Sequence, residues 1–289
     1  MGGIYWLASY PKSGNTWFRS FLRNLQDGGE APADINRLAA SIASNRCWLD
    51  EVLGFDTADL TDGEAQRLRP SVYDWSGRAA EPSYHKIHDA YTWIDGAPLV
   101  GRGGTRGAVY IVRNPLDVAS SLAHHLGQSV DEAIAHMGNE AFRIAASTRC
   151  FDSQVSQRLL TWSGHVESWV DAPDLACLAV RYEDMLARPA DTFTRAARFL
   201  GLPDDPDRIE RAIRFSDFKV LADLEARHGF AERPAKADRF FRSGKAGAWR
   251  ETLSTAQVER VIADHGAVMR RFGYLDARSD PVCPSGAAR

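Results

Sequence analysis

The sequence predicts an α/β fold, a single domain with a central parallel sheet flanked by helices. Short apolar runs rich in β-branched and aromatic residues, "IYWLAS" at 4–9, "GAVYIVR" at 107–113 and "LACLAVRY" at 175–182, alternate with longer helical patterns. Near-continuous apolar character within each run marks strands buried on both faces, the habit of parallel sheets. No internal repeat, low-complexity block or long Pro/Gly/Ser-rich linker divides the chain, so one domain is expected over 1–275. The polar stretch 276–289, ending "ARSDPVCPSGAAR", is expected to form a flexible tail.

Composition narrows the class of partner. With 289 residues, 44% of them hydrophobic and 25% charged, the chain can bury a sizeable core. A formal net charge of -3 argues against a general binder of nucleic acid or membrane surfaces, which would carry a basic excess. An anionic ligand must therefore be met by a local cluster. Cys47, Cys150, Cys177 and Cys283 show no Cys-x-x-Cys spacing and read as reduced thiols. No basic segment precedes the first apolar run, and no stretch approaches the roughly 18 apolar residues of a membrane span. A cytoplasmic protein is expected, without nucleic-acid or membrane partners.

The first strand ends in "YPKSGNTW" at 10–17. Pro11 and Gly14 permit a sharp turn, and Asn15, Thr16 and Trp17 begin a helix whose first amide N–H groups have no intrahelical partners. Such a corner suits an anion, because the helix dipole, the outward amides and the ammonium of Lys12 converge on it. A plain strand-to-helix turn with a solvated lysine is the other reading. A full Walker A loop, Gly-x-x-x-x-Gly-Lys-Ser/Thr, is not present, which disfavours a standard NTPase.

Residues 26–80 carry turns rich in Asp, Gly and Arg. In "YHKIHDAY" at 84–91, an extended backbone would place Lys86 and His88 on one face, with His88 suited to proton transfer near neutral pH; a surface strand is the alternative. "GRGGTRG" at 101–107 precedes a strand and has Arg106 where a dinucleotide fingerprint needs its third glycine, so it reads as a loop. Arg113 then stands at the carboxyl end of the next strand, where α/β sheets bind ligands, and Pro115 opens the helix "PLDVASSLAHHL". The Arg113 fork suits a phosphate, and Ser121, two turns on, could donate to it. Further helices are predicted in "ADTFTRAARFLGL" at 190–202 and "TAQVERVIADHGAVMRRFG" at 255–273.

Together "YPKSGNTW" and the Arg113/Ser121 pair resemble the cytosolic-type sulfotransferases that use 3′-phosphoadenosine 5′-phosphosulfate (PAPS). The first looks like that family's 5′-phosphosulfate loop, and the second keeps the eight-residue step of its 3′-phosphate site. The resemblance implies a P-loop-like, nucleoside-kinase-like fold and sulfuryl transfer from PAPS, leaving PAP, to a hydroxyl of a small-molecule acceptor, without a metal. It implies that Lys12, Ser13, Gly14, Asn15 and Thr16 hold the 5′ end and that Trp17 packs against adenine. Tyr182 of "RYEDM", with Ser216 and Phe218 of "FSDF", would lie beside adenine. "FFRSGKAGAW" at 240–249 is similar to the family's Arg-Lys-Gly-x-x-Gly-x-Trp segment: Arg242 and Gly244 match, whereas Ser243 replaces the lysine, leaving one cation fewer unless Lys245 reaches in. His88 would be the base, and His88, Lys12, Lys86 and Ser121 form the implied catalytic set. Alanine and arginine usage suggests a bacterial member.

The acceptor is not legible. His125 shares a helical face with Ser121, and Trp75, Tyr84, Tyr91, Trp93 and Trp162 are candidate aromatic walls, although such residues also fill cores. "RETLSTAQVE" at 250–259 sits where the family carries a dimerisation motif but has Thr255 in place of its valine, so a monomer or a weak homodimer is expected. Two other classes stay open: a P-loop-type nucleotide or small-molecule kinase, and a non-catalytic nucleotide-binding protein.

Overall fold

A computed structural model describes residues 2–38, 41–146, 153–233, 238–242 and 244–282. From the N-terminus its elements are β1 (Ile4–Ser9), α1 (Asn15–Asp27), β2 (Ser41–Ile42), α2 (Arg46–Leu53), α3 (Asp62–Ser76), β3 (Ser83–Ile87), β4 (Trp93–Ile94), β5 (Ala97–Pro98) and β6 (Thr105–Val112). There follow α4 (Pro115–Leu126), α5 (Val130–Met137), β7 (Arg143–Ile144), β8 (Gln157–Arg158), α6 (Trp162–Val170), β9 (Cys177–Arg181) and α7 (Tyr182–Ala187). The chain continues through α8 (Pro189–Phe199), α9 (Pro206–Phe215), α10 (Phe218–His228), α11 (Trp249–Thr252) and α12 (Thr255–Arg271). The fold is α/β, with a central parallel sheet in the order β2-β3-β1-β6-β9 and helices between its strands. β1 and β3 pair in parallel from Ile4 opposite Ser83 to Ala8 opposite Ile87.

Backbone packing divides the chain into two compact units. The first comprises Met1–Tyr10, Ala40–Tyr110 and Gly138–Ala179. Trp6 is wholly buried and meets the Tyr73 ring edge-on, and Trp48 stacks on His85 at 4.1 Å. Residues 26–80 hold more than the expected turns. Asn45 caps α2, and Thr61 with Glu64 closes a reciprocal capping box on α3. The caps outweigh a composition that reads as loop, and α3 tolerates Pro70 within it. The 101–107 stretch is a loop leading into β6, tied down by the Asp74 carboxylate, which accepts from Gly103 and Gly104 amides at 2.7 and 3.0 Å.

The second unit comprises Pro11–Ala39, Ile111–Met137 and Val180–Arg289. The apolar face of α1 buries Phe18, Phe21, Leu22 and Leu25, and Phe21 stacks on Phe193 of α8 at 4.0 Å. Asn114 caps α4 with Pro115 in its first turn, and Ser254 with Gln257 boxes the start of α12. The buried Glu183 carboxylate accepts from the Asn114 amide at 3.0 Å and the Tyr274 hydroxyl at 2.9 Å; burial raises its pKa while those donors restrain the rise. Asp276 accepts from the Arg278 and Asp280 amides, and Leu275 bridges Pro281; residues 283–289 lie outside the described region. Cys47 is exposed and Cys177 is half-buried on β9, while Cys150 and Cys283 fall outside the described residues. Among the described residues no helix is long and apolar enough to cross a membrane.

Candidate active site

In the second unit the turn preceding α1 is built from two left-handed residues. Lys12 has φ 69° and Gly14 has φ 101°. Glycine suits the second position, since a Cβ at Gly14 would stand 2.6 Å from Cδ2 of Tyr182. Lysine has no such freedom, so Lys12 holds backbone strain of the kind found at ligand-binding turns. Gly14 offers α1 no side-chain cap, and the first turn carries no acidic residue. Ser13, Asn15 and Thr16 are buried, and the Ser13 hydroxyl makes no hydrogen bond within the protein. The corner thus presents amides, hydroxyls and an ammonium without a carboxylate, a donor set matched to an anion.

Arg113 binds this turn through its backbone. Its Nη1 donates to the Lys12 carbonyl at 3.0 Å and its Nη2 to the Lys245 carbonyl at 3.1 Å. The guanidinium also lies over the Tyr182 ring, 4.3 Å from its centroid, and the buried Nε has no partner within the protein. Tyr182 meets Trp17 edge-on at 5.6 Å, and Trp17 meets Phe193 likewise at 5.8 Å. The Lys12 ammonium sits 4.6 Å above the Phe240 ring. Phe240 and Phe241 are fixed in turn by Glu225, whose carboxylate accepts both of their amides at 2.7 and 2.9 Å.

The 244–249 loop rests on the start of α4. Asp117 accepts from the Gly247 amide at 2.7 Å and the Trp249 amide at 3.0 Å. Ser121, on the same helix, is half-buried. Phe218 supports the loop, because a Cβ at Gly244 would strike its ring. Arg242 and Lys245 are exposed, and Ser243 lies outside the described residues. Ser216, another of the expected adenine-side residues, stands two positions before Phe218. It closes α9, is wholly buried, and its hydroxyl donates to the Ala212 carbonyl at 2.8 Å.

In the first unit, Lys86 lies on β3 and His88 just beyond it, both half-buried. His88 Nδ1 is 2.8 Å from the Ser9 carbonyl oxygen and 3.3 Å from the Ser9 hydroxyl. A carbonyl oxygen only accepts, so Nδ1 carries the proton and, in the neutral ring, Nε2 carries the lone pair. The next residue, Asp89, is gripped by Arg69 through two hydrogen bonds of 2.9 and 2.7 Å, both side chains buried. The candidate aromatic walls separate: Trp75 and Trp93 are 62% and 55% exposed, Tyr84 stacks on Tyr5, and Tyr91 and Trp162 are buried. Of the half-buried candidates on α4, His125 shares its turn with exposed His124.

Asp117, Glu183, Glu225, Phe240 and the Arg69/Asp89 pair were not legible as site residues. Asp117 offered one usable signal: an acidic residue in the first turn of the helix that follows Arg113. Among the described residues no group of His, Cys, Asp and Glu is arranged to hold a metal ion.

Comparison with known proteins supplies the lineage of this architecture. The sulfotransferase domain family matches residues 107–273, more than half of the chain. Flavonol 3-sulfotransferase of Flaveria bidentis is 25% identical over 268 residues, covering 88% of this chain and 78% of that protein. Sulfotransferase 2A6 of Rattus norvegicus is 22% identical, covering 88% and 80%. Among solved structures, retinol dehydratase with androsterone and PAP superposes with a TM-score of 0.60 at 18% identity, covering 97% of this chain and 82% of that one. Mouse sulfotransferase SULT7A1 with PAP gives a TM-score of 0.58 at 18% identity, covering 93% and 85%. On the strength of that family match, the chain belongs to the PAPS-dependent sulfotransferases.

Proposed function

We propose that the protein moves a sulfuryl group from PAPS to the hydroxyl of a small-molecule acceptor by in-line transfer, with His88 as general base. The observation that carries this reading is the carboxylate-free turn at Lys12–Thr16, with its buried, unspent Ser13 hydroxyl, held by Arg113. Lys12, Ser13, Gly14, Asn15 and Thr16 would bind the 5′-phosphosulfate, and Trp17, Tyr182 and Phe218 would flank adenine. Arg113, Ser121, Arg242 and Gly244 would address the 3′-phosphate, with Lys245 offering the charge that Ser243 lacks. Ser216, at the end of α9, would lie beside adenine with Phe218.

PAPS supplies the sulfuryl group and a nucleotide leaving group; the protein's part is placement and charge. Lys12 would meet the negative charge that grows on the leaving oxygen, a contact stronger in the transition state than before it. His88 would take the acceptor's proton at Nε2, the nitrogen left basic by the Nδ1–H to Ser9 carbonyl bond. Lys86 would help orient the acceptor. The relatives named for flavonol and the structure holding androsterone support hydroxyl-bearing small molecules as acceptors. The polar start of α12, where Ser254 is occupied in capping, supports a monomer or weak homodimer. The domain would span 1–275.

Thermal shift with matched concentrations of PAP, ADP and ATP with magnesium tests the assignment. PAP is expected to stabilise most, because only it offers a 3′-phosphate to charge-assisted donors worth about 1.5 to 3 kcal/mol each. Equal shifts with PAP and ADP would remove the 3′-phosphate site, and preference for ATP with magnesium would favour a kinase. A PAPS-dependent screen over hydroxyl acceptors, read by product mass, then separates turnover from silent nucleotide binding.

A further inference from the structure

Three of the four residues after β3 are held by one helix of the same unit. His165 Nε2 donates to the His88 carbonyl at 2.9 Å, Trp169 Nε1 donates to the Asp89 carbonyl at 2.9 Å, and the Ser168 hydroxyl accepts from the Tyr91 amide at 3.0 Å. All three side chains come from α6, on positions spaced so that they lie along one face. Ala90 completes the run by donating its amide to the Arg158 carbonyl at 2.8 Å. Each of the four residues 88–91 therefore has a backbone group fixed from outside the segment.

We propose that α6 is the template that sets the position of His88, and that His165 is the positioning residue through which it does so. This rests on the reading of His88 as the base. His165 is wholly buried, and its tautomer is dictated: Nε2 must carry a proton to serve the His88 carbonyl, so Nδ1 accepts from the Tyr110 hydroxyl at 2.8 Å. Burial holds its pKa down to about 4, so the ring stays neutral and keeps both bonds at neutral pH. Tyr110 is itself wholly buried in the central strand β6, so the chain of bonds from the sheet through Tyr110 and His165 to the His88 carbonyl is rigid. On the imidazole side, Ser9 at the end of β1 grips Nδ1. The base is thus fixed by two strands, through its ring and through its carbonyl. His165 is sealed from solvent, so its effect must pass through the placement of His88, where an ångström of displacement costs about 100-fold in rate.

The test compares His165→Leu, which removes both polar atoms, with His165→Gln, whose amide nitrogen can replace Nε2–H. Each is made alone and in a His88→Ala background. Single-turnover rates are taken with a weakly acidic alcohol and with an acidic phenol, and PAP-induced melting shifts are recorded in parallel. His165→Leu should slow the alcohol by roughly 10- to 100-fold, slow the phenol less, and leave the PAP shift unchanged. His165→Gln should recover most of the rate. In the His88→Ala background, His165→Leu should cost nothing further. An equal loss in both backgrounds, or with both acceptors, would show that His165 merely supports the fold and would overturn the template alone. Undiminished alcohol turnover in His88→Ala would overturn the base and the template together. Should His165→Leu fail to fold, Trp169→Phe decides: it keeps an aromatic side chain but loses the donor to Asp89, and an unchanged alcohol rate in it overturns the proposal.

Discussion

Arg113 Nη1 donates to the carbonyl oxygen of Lys12 at 3.0 Å. The arginine expected to read a phosphate is therefore also the brace of the turn, and its second nitrogen holds Lys245 in the same way. A lysine ammonium, a point charge on a flexible stem, does not reproduce the rigid planar fork that spans both carbonyls. Arg113→Lys is expected to weaken PAP binding by roughly 10- to 100-fold, the equivalent of about one charge-assisted hydrogen bond. Calorimetric titration with PAP checks this; an unchanged Kd would contradict it.

Asp117 should matter to stability and binding at once. Asp117→Asn retains the size of the side chain but turns one acceptor into a donor, aimed at the amide of either Gly247 or Trp249. An amide left unsatisfied and buried costs about 1 to 3 kcal/mol. The urea midpoint should fall accordingly, and PAP affinity with it. A variant with native midpoint and native affinity would show that the 244–249 loop holds its shape unaided.

Gly14→Ala carries two penalties, a left-handed φ and a methyl driven into the Tyr182 ring. Gly201→Ala is the control, since its φ is 67° but no atom lies within 4 Å of an added Cβ. The control should lose about 1 kcal/mol from backbone strain. Gly14→Ala should lose clearly more, by thermal or chemical denaturation, and should bind PAP poorly. Equal losses would mean that the Tyr182 ring moves aside freely.

Acid should destabilise the protein before its carboxylates titrate. His85, His165 and His265 are buried, and desolvation lowers each from 6.5 to about 4. The unfolded chain binds protons at these rings below about pH 6.5 while the folded one does not, so stability is full above that pH and is lost as pH falls towards 4. Each ring contributes on the order of 1 to 3 kcal/mol to that loss. Melting temperatures measured from pH 7 to 5 should decline, and His85→Gln should flatten the decline. A level profile would show these rings protonating inside the fold.

Much of this architecture was legible because strong local signals agreed. "IYWLAS" is β1 to the residue, and "PLDVASSLAHHL" is α4 from Pro115 to Leu126, where an Asn cap, a first-turn proline and a following glycine mark both ends. The two helices between 46 and 76 were missed because their signals are caps, not apolar periodicity: Thr61 and Glu64 mark the start of α3, yet its face is mixed and interrupted by Pro70. β2 pairs through only two residues, too few for any alternation to register. Around the turn, motif residues could be named, but their supports could not. Asp117 meets amides 130 and 132 positions away, and His165 meets a carbonyl 77 positions away. Contacts of that separation are created by topology, and a side chain that serves another residue's backbone leaves no local pattern.

The left-handed backbone at Lys12 sets stability against activity at a single position. Any residue with a Cβ is strained at φ 69°, and glycine there would relieve about 1 kcal/mol. Lys12→Gly should therefore melt higher than the native protein while losing turnover. In a library selected for heat resistance alone, position 12 would drift to glycine, and the survivors would be robust and inactive. Directed evolution of this scaffold towards thermostability needs a turnover screen at every round, and its stabilising changes should be sought away from the turn.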